Sequence, residues 1–162
     1  MDIWFRPSRP EYLDAIAAVN EAAFGGPEEA RITRALHADG DSLLSLVATG
    51  NIEIVGHIEF FRIWIDGAPA GVGLGPMSVL PELQKTGVGA KLIRLGMAAL
   101  EGAGETLVFV LGHDTYYPKF GFSEAAAKPF TAPWSGPHFM ALRLGQGAPE
   151  AGTLTYPKAF GG

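Results

Sequence analysis

Apolar positions along the chain follow two periods that alternate. Leu13, Ile16, Ala17 and Phe24 recur at helical spacing. Ahead of them, Ser8-Arg9-Pro10-Glu11 has the form of a capping box, in which hydroxyl and carboxylate each satisfy a free N–H, and Gly25-Gly26 supplies a left-handed stop. A second helix is predicted from Pro27-Glu28-Glu29, with acidic residues in its first turn, Ile32, Ala35 and Leu36 inward, and a stop at Asp39-Gly40-Asp41. Strand character runs from Leu43 to Thr49, turns at Gly50-Asn51, resumes from Glu53 to Ile65, turns sharply at Asp66-Gly67 and returns from Gly71 to Leu80. Helical spacing comes back near Gly87, with Val88, Leu92, Leu95 and Ala99 on one face and Gly102 and Gly104 at the end. Thr106 to Leu111 is a nearly continuous apolar run, as in a strand buried on both faces. A short helix from Asp114 to Phe120 and a strand from His138 to Leu144 follow, and the tail carries no assignment. With an opening strand, the order is strand, two helices, antiparallel meander, helix, strand, helix and strand. That is an α/β layer arrangement with a mixed sheet.

At 162 residues and 48% hydrophobic, the chain can bury one good core and is short for two, so a single domain over 1–162 is expected. Gly 22 and Pro 12 are scattered between apolar runs and read as turns. The net charge of -5, with Asp+Glu 17 against Lys+Arg 12 and no basic stripe, argues against a nucleic-acid surface. Without cysteine, disulfides and thiolate chemistry are excluded. No signal-like start and no apolar run of membrane-span length is present, so a cytoplasmic protein away from membranes is expected. No His, Asp or Glu cluster has metal-ligand spacing, and no metal is expected.

The most informative segment is Met77-Ser78-Val79-Leu80-Pro81-Glu82-Leu83-Gln84-Lys85-Thr86-Gly87-Val88-Gly89-Ala90, an apolar strand passing through a glycine-bearing loop into a helix. Free N–H groups at a helix start, the helix dipole and the closeness that glycine allows together suit an anion. An ordinary strand-to-helix turn has the same look. A mononucleotide P-loop needs Gly directly before Lys-Thr, where Gln84 stands, and the dinucleotide fingerprint finds Ser78 or Leu92 at its third glycine. What remains is Gln84, Gly87 and Gly89, spaced as Gln, two residues, Gly, one residue, Gly. A second signature, Tyr117-Pro118-Lys119-Phe120-Gly121-Phe122, follows at the distance of one helix and one strand.

These two motifs resemble the GCN5-related N-acetyltransferase (GNAT) family. Ala22-Ala23-Phe24-Gly25, Val55-Gly56-His57-Ile58, Pro76 to Pro81, Val110-Leu111-Gly112 ahead of Tyr116-Tyr117, and the ending Tyr156 to Phe160 are similar to its bacterial YhbS-like branch. The resemblance implies the family fold, a mostly antiparallel mixed sheet with helices on both faces. It implies an acyltransferase that uses acetyl-CoA as cosubstrate, an amine-bearing small molecule or protein as acceptor, and, as is common in the family, a homodimer. Backbone groups of Gln84, Lys85, Thr86, Gly87, Val88, Gly89 and Ala90 would cradle the coenzyme A pyrophosphate. The strand ending near Val79 would splay from the one ending near Leu111, with pantetheine in the gap held by Met77, Ser78 and Val79 and with Gly112 alongside. His113 and Asp114 stand where many relatives carry a cofactor-contacting asparagine, and so depart from the pattern.

Acetyl transfer to an amine needs a neutral nucleophile, a polarised thioester and a proton for the thiolate. Tyr117 matches the family's acid by position; a packed aromatic with a polar tip is the other reading. His57 and Glu59 lie two apart on a predicted strand and so share a face, which makes an imidazole beside a carboxylate a candidate base. A solvated patch, or deprotonation through water or backbone carbonyls, stays open, because Gly71 to Leu80 has no carboxylate. Trp64, Phe60, Phe61 and Trp134 read as core. A non-catalytic acyl-CoA sensor is the alternative to the enzyme.

Overall fold

The computed structural model describes residues 2–161. Its elements are β1 (Ile3–Pro7), α1 (Leu13–Phe24), α2 (Glu28–Ala38), β2 (Ser42–Gly50), β3 (Glu53–Ile65), β4 (Ala68–Val79), α3 (Val88–Gly102), β5 (Leu107–Leu111), α4 (Glu124–Ala127), β6 (Phe130–Thr131), β7 (Phe139–Arg143) and β8 (Gly152–Thr155). The strands run in the order β1-β2-β3-β4-β5-β7, and β8 pairs with both β3 and β6. β4 and β5 are parallel, with Val72 opposite Val108 and Leu74 opposite Val110, whereas β1–β2, β3–β8 and β5–β7 are antiparallel. The α/β arrangement with a mixed sheet is the one the hydrophobic pattern predicts.

Contacts gather into two units: the chain up to Phe60 with Pro76–Gly96, and Phe61–Gly75 with the chain from Met97 onward. In the first, β3 alternation sorts residues by face. A Cβ on Gly56 would meet Val88 and Leu92 of α3, and one on Gly96 of α3 would enter the ring of Phe60. His57 and Glu59 take the opposite face, where Glu59 meets His37 of α2. Helices therefore cover both faces of this part of the sheet.

In the second unit, Phe109 of β5 stacks on Phe139 of β7 with ring centroids 5.6 Å apart, and Phe130 meets it edge-on at 5.1 Å. The unassigned tail is ordered by aromatic packing as well. Phe61 lies 4.6 Å from Phe160, and Trp134 lies 4.5 Å from Tyr156. Phe60 and Phe61 are core, as expected, while Trp64 and Trp134 are partly exposed.

Local expectations were corrected in four places. The capping box does not form: Pro10–Tyr12 is a 3-10 turn with no side-chain cap, and α1 starts only at Leu13. Ser8 is held extended instead, its N–H donating to the Ser45 carbonyl at 2.8 Å, and Glu11 turns toward Arg9 at 3.9 Å. Phe24, at the last position of α1, is 46% exposed, and Leu95 is 37% exposed because Gly96 takes the contact with Phe60. The segment before Gly121 is a 3-10 turn over Tyr117–Phe120 in place of a helix from Asp114, shortened by Pro118 inside it and left-handed Gly121 behind it.

Candidate functional site

The strand-to-helix loop is built from local bonds. After β4, Pro81–Leu83 makes a 3-10 turn and Gln84 returns to extended backbone. Gln84 folds its side chain back, Nε2 donating to the Val79 carbonyl at 3.1 Å, and Thr86 donates its hydroxyl to the Leu83 carbonyl. Lys85 and Gly87 both take positive φ, 64° and 96°, which tightens the loop before Val88. The Gly87 carbonyl accepts from Lys91 N–H at 3.0 Å, so α3 begins there, and the N–H groups of its first turn point out of the helix start. Lys85, Thr86 and Gly87 are exposed while Val88 is buried. The result is an outward-facing donor loop with a cation at its rim, a set that suits a diphosphate.

Of the residues on the strand before it, Val79 offers its carbonyl to Gln84, Met77 is partly exposed, and Ser78 is buried with its hydroxyl on Asn20 Oδ1 of α1 at 2.7 Å. The Ser78 side chain thus serves α1. Leu80 N–H donates to the Val55 carbonyl at 2.9 Å, which in an antiparallel ladder sets Ser78 across from His57 on the same face.

His57 and Glu59 are fully buried, and His57 Nε2 lies 2.9 Å from Glu59 Oε1. The same oxygen lies 3.1 Å from Nε2 of His37, and Ser42 of β2 donates to Oε2. Burial alone would raise the Glu59 carboxyl; the hydrogen bonds from His37 and His57 and their charges outweigh it and hold the group below its ordinary range. The hydrogen bond to Glu59 raises His37. With Nε2 committed to Glu59, His57 Nδ1 is buried without a partner among the described residues, as is Nδ2 of Asn20. One can accept a hydrogen bond from a ligand and the other can donate one.

In the second unit, Gly112 exchanges bonds with His138, its N–H donating to the His138 carbonyl at 3.0 Å and its carbonyl lying 3.2 Å from His138 Nδ1. Gly112 also lies directly under the Tyr117 ring, where any Cβ would collide with Cε2. The His113 carbonyl accepts from the N–H groups of Tyr116 and Tyr117, at 3.1 and 3.2 Å, which fixes the turn carrying the phenol. Burial pushes the Tyr117 hydroxyl up to about 12, with Tyr116 adding to the effect, so it holds its proton at neutral pH.

Sequence reasoning missed His37, Ser42 and Asn20. Only the phase of α2 hinted at the first, since Ala30, Thr33 and Leu36 are its buried residues and His37 adjoins that face. Among the described residues, no helix is long and apolar enough to cross a membrane, and no group of three His, Asp or Glu side chains could hold a metal ion.

Residues 41–124 match the family model described as an acetyltransferase (GNAT) domain. The chain is 41% identical over 128 residues to the N-acetyltransferase YjhQ of Escherichia coli K12, covering 75% of this chain and 71% of that protein. Its fold is similar to a GNAT family acetyltransferase from Brucella melitensis solved with acetyl-CoA, with TM-score 0.85 and 38% identity over 98% of both chains. It is also similar to YhbS of Escherichia coli solved with CoA, with TM-score 0.90 and 26% identity over 98% of this chain and 91% of the other.

Proposed function

Since the chain belongs to the GCN5-related N-acetyltransferase family and is an N-acetyltransferase, we propose that it transfers acetyl from acetyl-CoA directly to a primary amine of a small molecule or protein. The donor set fits this cosubstrate: backbone N–H groups of the loop from Lys85 to Ala90, opened by Gly87 and following Gln84, whose own N–H is held by the Pro81 carbonyl, would hold the pyrophosphate with the Lys85 ammonium beside them. Relatives solved with acetyl-CoA and CoA support the assignment. When bound, the cosubstrate supplies an acetyl thioester, an acyl group with a thiolate to expel.

The rest is the work of this chain's side chains. His57 takes a proton from the acceptor nitrogen at Nδ1: the N–H bond of the amine breaks and an Nδ1–H bond forms. Glu59 stabilises the resulting imidazolium through Nε2–H. Asn20 Nδ2 offers a donor to a polar group of the acceptor. The amine nitrogen bonds the acetyl carbon as the carbon–sulfur bond breaks; Tyr117 would give its hydroxyl proton to the departing sulfur and recover one from solvent as His57 releases its own, so atoms and charge balance over the cycle. A base and a neutral acid of this kind each contribute about 10²–10⁴-fold.

The observation that carries the catalytic reading is His57, locked by a buried carboxylate at one ring nitrogen and unpartnered at the other. Calorimetric titration with acetyl-CoA and thiol release against a panel of amines test it in wild type, Tyr117→Phe and His57→Gln. All three are expected to bind the cosubstrate, and only wild type to turn over at full rate. Binding without turnover on any amine would make the protein an acyl-CoA binder; no binding would remove the loop assignment.

A further inference from the structure

Resting on the reading of His57 as base, we propose that His37 sets the proton affinity of His57 through the carboxylate oxygen they share, so that one ring at a time carries the proton. Both Nε2 atoms bond the same atom, Glu59 Oε1, at 2.9 and 3.1 Å, while Oε2 is taken by Ser42. The carboxylate is fully buried and serves two imidazoles with one charge. The rings differ in access to water: the side chain of His57 is 0% exposed and that of His37 26%. Only the ring of His37 meets solvent directly.

Laid end to end, the two bonds put the ring nitrogens at most about 6 Å apart, where two positive charges at a protein-like dielectric repel by the equivalent of about two pH units. The groups facing His37 are Glu59 from β3 and, through Glu59, Ser42 from β2; on its own helix Arg34 is tied to Asp14 of α1 at 2.7 Å. A proton on His37 therefore neutralises Glu59 and leaves His57 a weak base. When His37 loses that proton, the whole carboxylate charge supports His57, which becomes able to deprotonate an acceptor. His37 touches no reacting atom in this scheme and is a positioning residue.

The test is a titration of the histidine rings by nitrogen-15 NMR in wild type and His37→Gln, with His57→Gln for assignment. Glutamine keeps a donor for Oε1 and cannot be charged. The protonation of His57 is expected about two pH units higher in His37→Gln than in wild type. Its steady-state acid limb should move with it, while KM for acetyl-CoA stays the same, an effect that a structural role alone would not produce. A shift under about half a unit, or a His57 that stays neutral in both proteins down to acid unfolding, would overturn the coupling. If His37→Gln does not fold, His37→Asn takes its place. The two readings fail separately: turnover by His57→Gln removes the base assignment, whereas the NMR shift alone decides the coupling.

Discussion

Gly112→Ala places one methyl group under the proposed acid. The added Cβ would overlap Cε2 of Tyr117 and lie 3.0 Å from Cδ2 and 3.5 Å from Cζ. Ordinary carbon–carbon contact is about 3.5–4.0 Å, so the ring must give way by about 1 Å. It has little room, because Tyr117 is 8% exposed and meets Tyr116 and Phe122 edge-on at 5.2 and 5.9 Å. Overpacking of this kind costs about 1–3 kcal/mol of stability, and a displacement of about 1 Å at a reacting group costs about 100-fold in kcat. Steady-state kinetics and thermal unfolding of Gly112→Ala, Tyr117→Phe and the double variant separate the two effects. The stability loss should persist in the double variant, because phenylalanine keeps the ring. The kcat loss should not, because the hydroxyl it acts through has gone. An equal further drop in kcat when Gly112→Ala is added to Tyr117→Phe would refute the argument that Gly112 matters by aiming the phenol.

Gly87→Ala forces a side chain into φ 96° at the head of α3; about 1–3 kcal/mol of strain should appear in urea unfolding, with a weaker calorimetric affinity for acetyl-CoA. Gly73→Ala, whose Cβ would run into the Phe61 ring, should lower the melting temperature without touching that affinity, which makes it a control for stability alone. Glu59 sits below its ordinary pKa and His37 above its own. The Glu59 contribution is present above about pH 4.5 and lost as pH falls through its folded value; that of His37 is present below about pH 6.5 and lost as pH rises through its folded value. Urea midpoints measured against pH should fall on both sides; His37→Gln should flatten the alkaline side and shrink the acid side, because the His37 charge helps to lower Glu59.

What could be read ahead of the structure was what local chemistry decides. Asp66-Gly67 forms its turn because both residues take positive φ, 50° and 85°, as the right-handed twist of a two-residue hairpin demands. The Gln84 to Gly89 pattern lands on the start of α3 because a left-handed glycine suits that place. The parity of His57 and Glu59 correctly put them on one face. Distant partners were beyond reach. Ser8 looked like a cap, yet its N–H is drawn to Ser45 across a strand pair. β6 and β8, of two and four residues, are too short to show a period and are held by partners far along the chain. His37 lies 22 residues from Glu59, and nothing local to α2 announces that a carboxylate waits beneath it.

Burial acts in the same sense on Tyr117 and Glu59, and the outcomes differ because of what was buried with each. Tyr117 is surrounded by Tyr116, Phe122 and the backbone of Gly112, which offer a phenolate no compensating charge, so desolvation raises its pKa and leaves a neutral donor. Glu59 is buried more deeply, and desolvation pushes it the same way, but two imidazoles and a serine hydroxyl favour its charged form and reverse the outcome. One environment keeps an acid protonated at a pH where the other keeps a carboxylate ionised to support a base. Groups whose surroundings drive their proton affinities apart are what acid and base roles at one pH require. That separation is a stronger reason to make Tyr117 the acid and Glu59 the support of the base than the position of either in a motif, because the direction of the shift depends on the packing around each group.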